Sequence, residues 1–212
     1  MAQVMEMSKA KLKAIASGRA QLEQALKSDS HGQEILLRYD RFATDLWDGL
    51  AVTYDAANVL PKLIDVIVEV HNSRSQALRT RDNQRILEPD WFQSERAVGY
   101  VCYTDLFAGN LKNIESKIDY LENLGVTYLH LMPLLTPRPG ANDGGYAVMD
   151  YRSVRSDLGT MADLASLSTK LHEHGISLTL DLVLNHVAKE HEWAMKAKSG
   201  DKKYRDYFYV YP

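Results

Sequence analysis

Two short stretches carry the side chains best suited to chemistry. In "ANDGGYAVMDYRSV", residues 141–154, an acid, two glycines and an aromatic follow one another as Asp143, Gly144, Gly145 and Tyr146. In "SLTLDLVLNH", residues 177–186, Asp181 interrupts a leucine-rich run that closes on Asn185 and His186. Each has an ordinary reading. Asp-Gly is a common turn pair, a single tyrosine is a half-buried surface aromatic, and a strand-end histidine serves as an ordinary polar residue about as often as it binds a ligand. Asp181 is harder to set aside, because burying an unpaired carboxylate is costly; a structural ion pair would account for it. The glycines after Asp143 permit φ > 0 and close backbone approach, as a loop folding into a pocket wall requires.

Positioning these groups calls for a scaffold, and the chain supplies two kinds of pattern. Residues 8 to about 88 read as helices. In the first, Ser8 is a candidate cap, with Leu12, Ile15, Leu22 and Leu26 along roughly one face. Ile35, Leu36, Tyr39, Phe42, Leu46 and Leu50 repeat the pattern, and Leu60, Leu63, Ile64, Ile67 and Val68 follow, with Pro61 marking a first turn or a kink. Trp47 and Tyr54 read as core or interface aromatics, and His71 as a satisfied surface residue. "EPDWFQSERA", residues 88–97, is the seam, and the domains are expected at 1–95 and 96–212.

After the seam the pattern becomes β-α-β-α-β. "VGYVCY" (98–103) reads as a buried strand. A helix capped by Asn110 follows, with Leu111, Ile114, Ile118 and Leu121 inward and Gly125 at its end. "VTYLHLMPL" is a second strand. Thr160 and Asp163 have capping-box spacing ahead of Leu164, Leu167 and Leu171, and "SLTLDLVLNH" is a third strand. Continuous apolar strands of this kind form parallel sheets covered by helices. The join from Pro133 to Thr160 is far longer than an ordinary strand-to-helix connection. Long joins after strand C-termini are where such folds place binding sites. His130 and His191 read as structural.

Three segments together, "YTDLFAGNLKNIESKIDYLENLGVTYLHLMPL", "DGGYAVMDYRSV" and "LDLVLNH", resemble the α-amylase family of glycoside hydrolases and transglycosylases. "DLFAGNLK", "YLHLMPL", "NDGGYAV" and "EHEWA" are most similar to its amylosucrase members. The resemblance implies a helical domain followed by the first three β/α units of an incomplete (β/α)8 barrel, with an inserted domain beginning near "YRDYFYVYP". It implies that Asp143 lies at the bottom of a sugar pocket, that Tyr146 stacks on a glucosyl ring, and that His186 hydrogen-bonds one of its hydroxyls. Asp181 and Asn185 support the site from the strand end. Sucrose and α-glucan are the implied substrates, in a retaining double displacement, with no metal and no cofactor. Sucrose phosphorylase, sucrose hydrolase and trehalose synthase share much of this region. An aromatic plate with a few polar groups suits a pyranose, whose apolar faces are rimmed by hydroxyls.

A retaining glycosidase needs two carboxylates about 5–5.5 Å apart. The family's Gly-Phe-Arg-x-Asp nucleophile motif does not occur in these 212 residues, so the nucleophile and acid/base are expected beyond them and the chain alone is expected to be inactive. A noncatalytic sugar-binding fragment and an α/β domain unrelated to sugars are the competing expectations. The net charge of −3, with 25 basic and 28 acidic residues interspersed, lacks the footprint of a nucleic-acid binder. One cysteine excludes an internal disulfide framework. With no secretory signal and no membrane-length apolar run, a cytoplasmic location is expected.

Overall fold

The computed structural model describes the backbone of residues 2–29 and 31–211 and the side chains of 9–29 and 31–211. The chain divides into two compact units, Met1–Glu88 and Pro89–Pro212. The change of sequence pattern at the seam placed this division a few residues later, at 95/96.

Among the described residues the first unit holds the helices α1 (Ala2–Ala25), α2 (Gly32–Thr53), α3 (Ala56–Ser73) and α4 (Gln76–Leu87). Its core is Leu22, Leu26, Leu36, Tyr39, Ala43, Leu60 and Ile64. Close packing depends on Gly18. A Cβ there would lie 2.4 Å from the Tyr39 hydroxyl and 2.5 Å from Ile64 Cδ1. That hydroxyl donates to the Ile15 carbonyl at 3.0 Å. Helix α1 runs through Ser8, which is therefore not its cap; the Ser8 side chain lies outside the described residues.

Several expected core positions are on the surface instead. Leu12 is 65% exposed, because at 100° per residue it sits roughly 60° round the helix from the mean of Ile15, Leu22 and Leu26. Phe42 is half exposed, and the Arg41 guanidinium covers its ring at 5.0 Å. Tyr54, just past the end of α2, is exposed, whereas Trp47 packs against the core. Pro61 lies well inside α3 rather than in its first turn.

His71 is buried rather than a surface residue. Its Nε2 lies 2.8 Å from Asp29 Oδ2, which also accepts from Arg79 Nη1 at 3.1 Å. The His31 backbone N–H, together with these two side chains, holds the Asp29 carboxyl down at about 2.

In the second unit β1 (Gly99–Cys102), β2 (Tyr128–Leu131) and β5 (Ser177–Leu180) form a parallel sheet in the order β1-β2-β5. Leu129 and Leu131 of β2 enter a core with Leu111, Ile114, Ile118 and Leu121 below and Leu164, Leu167 and Leu171 of α8 (Met161–Glu173). The helix expected after Asn110 divides into α6 (Leu111–Glu115) and α7 (Ile118–Asn123), preceded by the short α5 (Thr104–Ala108). Between them the Ser116 hydroxyl donates to the Asn113 carbonyl at 2.7 Å and the chain tightens into i→i−3 bonds, a known competition with the helical ladder. The Asn110 cap and the Thr160–Asp163 capping box both form. Strand β1 is less buried than expected, with Val101 on the sheet face opposite the helices and 61% exposed.

The long join is not an irregular loop. It holds an antiparallel pair, β3 (Leu135–Pro137) and β4 (Val148–Val154), registered Leu135 to Val154 and Pro137 to Val148. Half of the stretch from 141 to 154 is thus strand. Conversely, the third strand ends at Leu180 rather than His186. Its ladder partner β2 runs out at Leu131, and Pro133 has no N–H to extend it. Residues 181–186 instead hang from β4. Two short helices, α9 (Glu192–Lys198) and α10 (Lys202–Arg205), close the described chain. Among the described residues no helix is long and apolar enough to cross a membrane.

Candidate functional site

Three chain segments leave the C-terminal ends of the parallel strands and meet above the sheet. Tyr103 follows β1, the β3–β4 hairpin follows β2, and Asp181–His186 follows β5. Between the hairpin strands the chain makes a tight 3-10 turn over Asp143–Gly145, with the Asn142 side chain accepting from the Gly145 N–H at 3.0 Å. Asp143, Gly144 and Gly145 all have positive φ, at 55°, 65° and 96°. The glycines are also needed for space. A Cβ on Gly144 would sit 2.9 Å from the Tyr103 hydroxyl, and one on Gly145 would sit 3.0 Å from Pro133. Asp143 carries the left-handed strain as a non-glycine residue.

This turn delivers Tyr146 to Asp181. The phenol donates to Asp181 Oδ2 at 3.1 Å, so the half-buried carboxylate inside the leucine-rich run is partnered. Burial first, and then the Asp181 carboxylate, keep the Tyr146 phenol above its ordinary value. On the other side, His130 Nε2 stands 3.3 Å from Asp181 Oδ1.

Tyr146, Asp181, Asn185 and His186 line one pocket of about 380 Å³, together with Leu182–Leu184. Asn185 Oδ1 and His186 Nδ1 are 2.7 Å apart, and both side chains are exposed toward solvent. Asp143 is not among the lining residues; it is exposed, in the turn that leads into Tyr146. The space lies in the usual range for a small-molecule site. An aromatic ring, a carboxylate, an amide and an imidazole can together offer a stacking surface, acceptors and donors to a hydroxyl-rich ring.

One residue that holds this wall together escapes a reading of the sequence. The Tyr151 hydroxyl, from β4, donates to the Val183 carbonyl at 2.5 Å and lies 3.2 Å from that of His186. The Ala188 N–H bonds the Val148 carbonyl at 2.8 Å. Together these replace the missing strand ladder. Only the alternation within "VMDYRSV" could have hinted at a strand that aims Tyr151 this way. His191 has a structural place: its Nδ1 accepts from the Trp193 N–H at 3.1 Å and caps α9. Burial pushes the Cys102 thiol up to about 11, which keeps it protonated and unreactive.

Comparison with known proteins gives one family. The Alpha-amylase family profile, described as "Alpha amylase, catalytic domain", matches residues 41–212. The oligo-1,6-glucosidase of Parageobacillus thermoglucosidasius is 40% identical over 130 residues, which is 58% of this chain and 22% of that protein. Among solved structures, trehalose-6-phosphate hydrolase of Bacillus licheniformis aligns with a TM-score of 0.50 at 35% identity, covering 56% of this chain and 22% of the other. A MutB variant in complex with the substrate sucrose aligns with a TM-score of 0.50 at 33% identity, covering 57% and 22%. The chain therefore spans roughly a fifth of the length of the relatives it matches.

Proposed function

The chain belongs to the α-amylase family, and from that premise we propose that its pocket receives the glucosyl unit of a sugar whose glycosidic bond the complete protein cleaves or transfers. The observation that carries this reading is the convergence of Tyr146, Asp181, Asn185 and His186 on one concavity at the C-terminal ends of three parallel strands. Tyr146 is the stacking plate, and His186 reaches a ring hydroxyl. Asp181 anchors Tyr146, and Asn185 orients His186 through the 2.7 Å contact. Asp143 acts from the adjoining turn, its carboxylate adding negative potential at the Tyr146 phenol. Positive charge developing on a glucosyl ring is stabilised by such carboxylates.

Sucrose is the first substrate to test, since one similar structure holds it. Amylosucrase-type transfer onto an α-glucan is the narrower reading, supported by the "DLFAGNLK", "NDGGYAV" and "EHEWA" segments. The relatives named above are an oligo-1,6-glucosidase, a trehalose-6-phosphate hydrolase and MutB, which support the wider reading of an enzyme acting on small α-glucosides. The 212 residues hold the binding wall without the family's nucleophile motif, so this polypeptide binds sugar without turning it over. Calorimetry with sucrose and a fructose-release assay test this together. Binding lost on Tyr146→Ala, with no fructose released, is the expected result. Fructose release by the purified chain, or sucrose binding unchanged in Tyr146→Ala, would refute it.

A further inference from the structure

His130 occupies the sheet position directly beneath this wall. Its neighbours along β2, Leu129 and Leu131, enter the helix-covered core, so His130 faces the opposite side, registered with Val101 of β1 and Thr179 of β5. Nε2 of His130 is shielded from solvent and makes no hydrogen bond among the described residues. A buried imidazole nitrogen without a partner is unfavourable, and an apolar side chain would fill a sheet position without that cost. The nearest group that could satisfy it is the Asp181 carboxylate, 3.3 Å away but not aligned. The other oxygen of that carboxylate accepts the Tyr146 phenol. The three side chains thus form a line running from the middle of β2 through the end of β5 to the pocket wall.

We propose that His130 is a positioning residue: its Nε2–H turns onto Asp181 Oδ1 and fixes the carboxylate so that Oδ2 holds the Tyr146 ring in place for a bound glucosyl unit. A carboxylate held by one partner can rotate about its terminal torsion, which is broad; held from both sides it cannot. The small turn still needed is the kind of tightening that catalytic and binding sites undergo on ligand binding. The ligand named here rests on the sugar reading above, but the linkage of His130 to Tyr146 does not.

The test exploits this separation. The titration of Tyr146 is obtained as the ultraviolet difference between the full chain and its Tyr146→Phe variant, in the wild-type, His130→Leu and His130→Gln backgrounds. The groups acting on that phenol are Asp181, Tyr103 and Asp143. Methyl α-glucoside affinity is measured by calorimetry on the same proteins. With His130 removed, nothing stands 3.3 Å from Oδ1 to limit rotation of the carboxylate, Oδ2 holds the phenol less firmly, and part of Asp181's share of the upward shift is lost. The Tyr146 midpoint in His130→Leu therefore falls toward the ordinary phenol value of about 10, and sugar affinity drops several-fold. His130→Gln, whose amide N–H reaches Asp181, restores both. A His130→Leu chain with wild-type Tyr146 titration, or a His130→Gln chain that behaves like it, overturns the proposal. Should the Leu variant unfold by circular dichroism, the Gln variant decides alone: a retained midpoint supports the role and a lowered one refutes it. Sugar binding absent in every protein, with the titrations as expected, removes the sugar reading and leaves the His130 linkage standing.

Discussion

Gly18 offers a test in which two well-known effects have opposite signs and the structure decides the winner. In the middle of a helix, replacing glycine by alanine stabilises by about 1 kcal/mol through backbone entropy. At position 18 the new methyl would lie 2.4 Å from the Tyr39 hydroxyl and 2.5 Å from Ile64 Cδ1. Neither neighbour can retreat easily. Ile64 is fully buried, and the Tyr39 hydroxyl is tied to the Ile15 carbonyl. Overpacking of this kind costs about 1–3 kcal/mol, and displacing the phenol would break its bond to the Ile15 carbonyl at roughly another 0.5–1.5 kcal/mol. Gly18→Ala should therefore be destabilising by about 1–3 kcal/mol after the propensity gain. Gly49, in α2, is the control, since a Cβ there meets nothing within 4 Å. Gly49→Ala should be stabilising by up to ~1 kcal/mol. Hydrogen exchange of α1–α3 amides in the full chain reads the helical unit by itself. Both substitutions moving protection in the same direction would refute the packing assigned to α1 against α2 and α3.

The helical unit should also show an acid-sensitive window. Asp29 is depressed from 3.8 to about 2 by the His31 N–H, His71 and Arg79, so its contribution is fully present above its unfolded value and is lost as pH falls toward 2. Screening at this partly solvated carboxylate limits the effect to about 1 kcal/mol, and amide exchange between pH 2 and 5 should respond less to pH in Asp29→Asn than in the wild type. Tyr151→Phe removes the hydroxyl that holds residues 183–186. Loss of one such bond, at about 1 kcal/mol, should speed exchange in that segment and weaken sugar binding roughly fivefold, while leaving the core helices unaffected.

The sequence made the parallel sheet legible because β1, β2 and β5 alternate with segments whose caps, Asn110 and Thr160, are unambiguous. It hid the β3–β4 pair. β3 has only three residues and ends at Pro137, and the pair is bulged and rich in polar residues, so only the alternation within β4 distinguishes it from loop. The extent of the third strand was overread for a complementary reason. "DLVLNH" has strand composition, but a strand exists only where a ladder partner does, and β2 stops first. In the site, Tyr146 and His186 were legible as residue types from the family resemblance. Their joint dependence on Asp181 and Tyr151 was not, because hydrogen bonds across some 35 positions leave no local trace. The Asp29–His71 pair was missed for the same reason, its partners lying 42 residues apart.

Chemical-shift mapping of the full chain with methyl α-glucoside probes the pocket itself. Perturbations concentrated at Tyr146 and Asp181–His186, and abolished together in Tyr146→Ala, are the expected outcome. Saturable binding whose perturbations fall elsewhere and leave Tyr146 and His186 unmoved would contradict it.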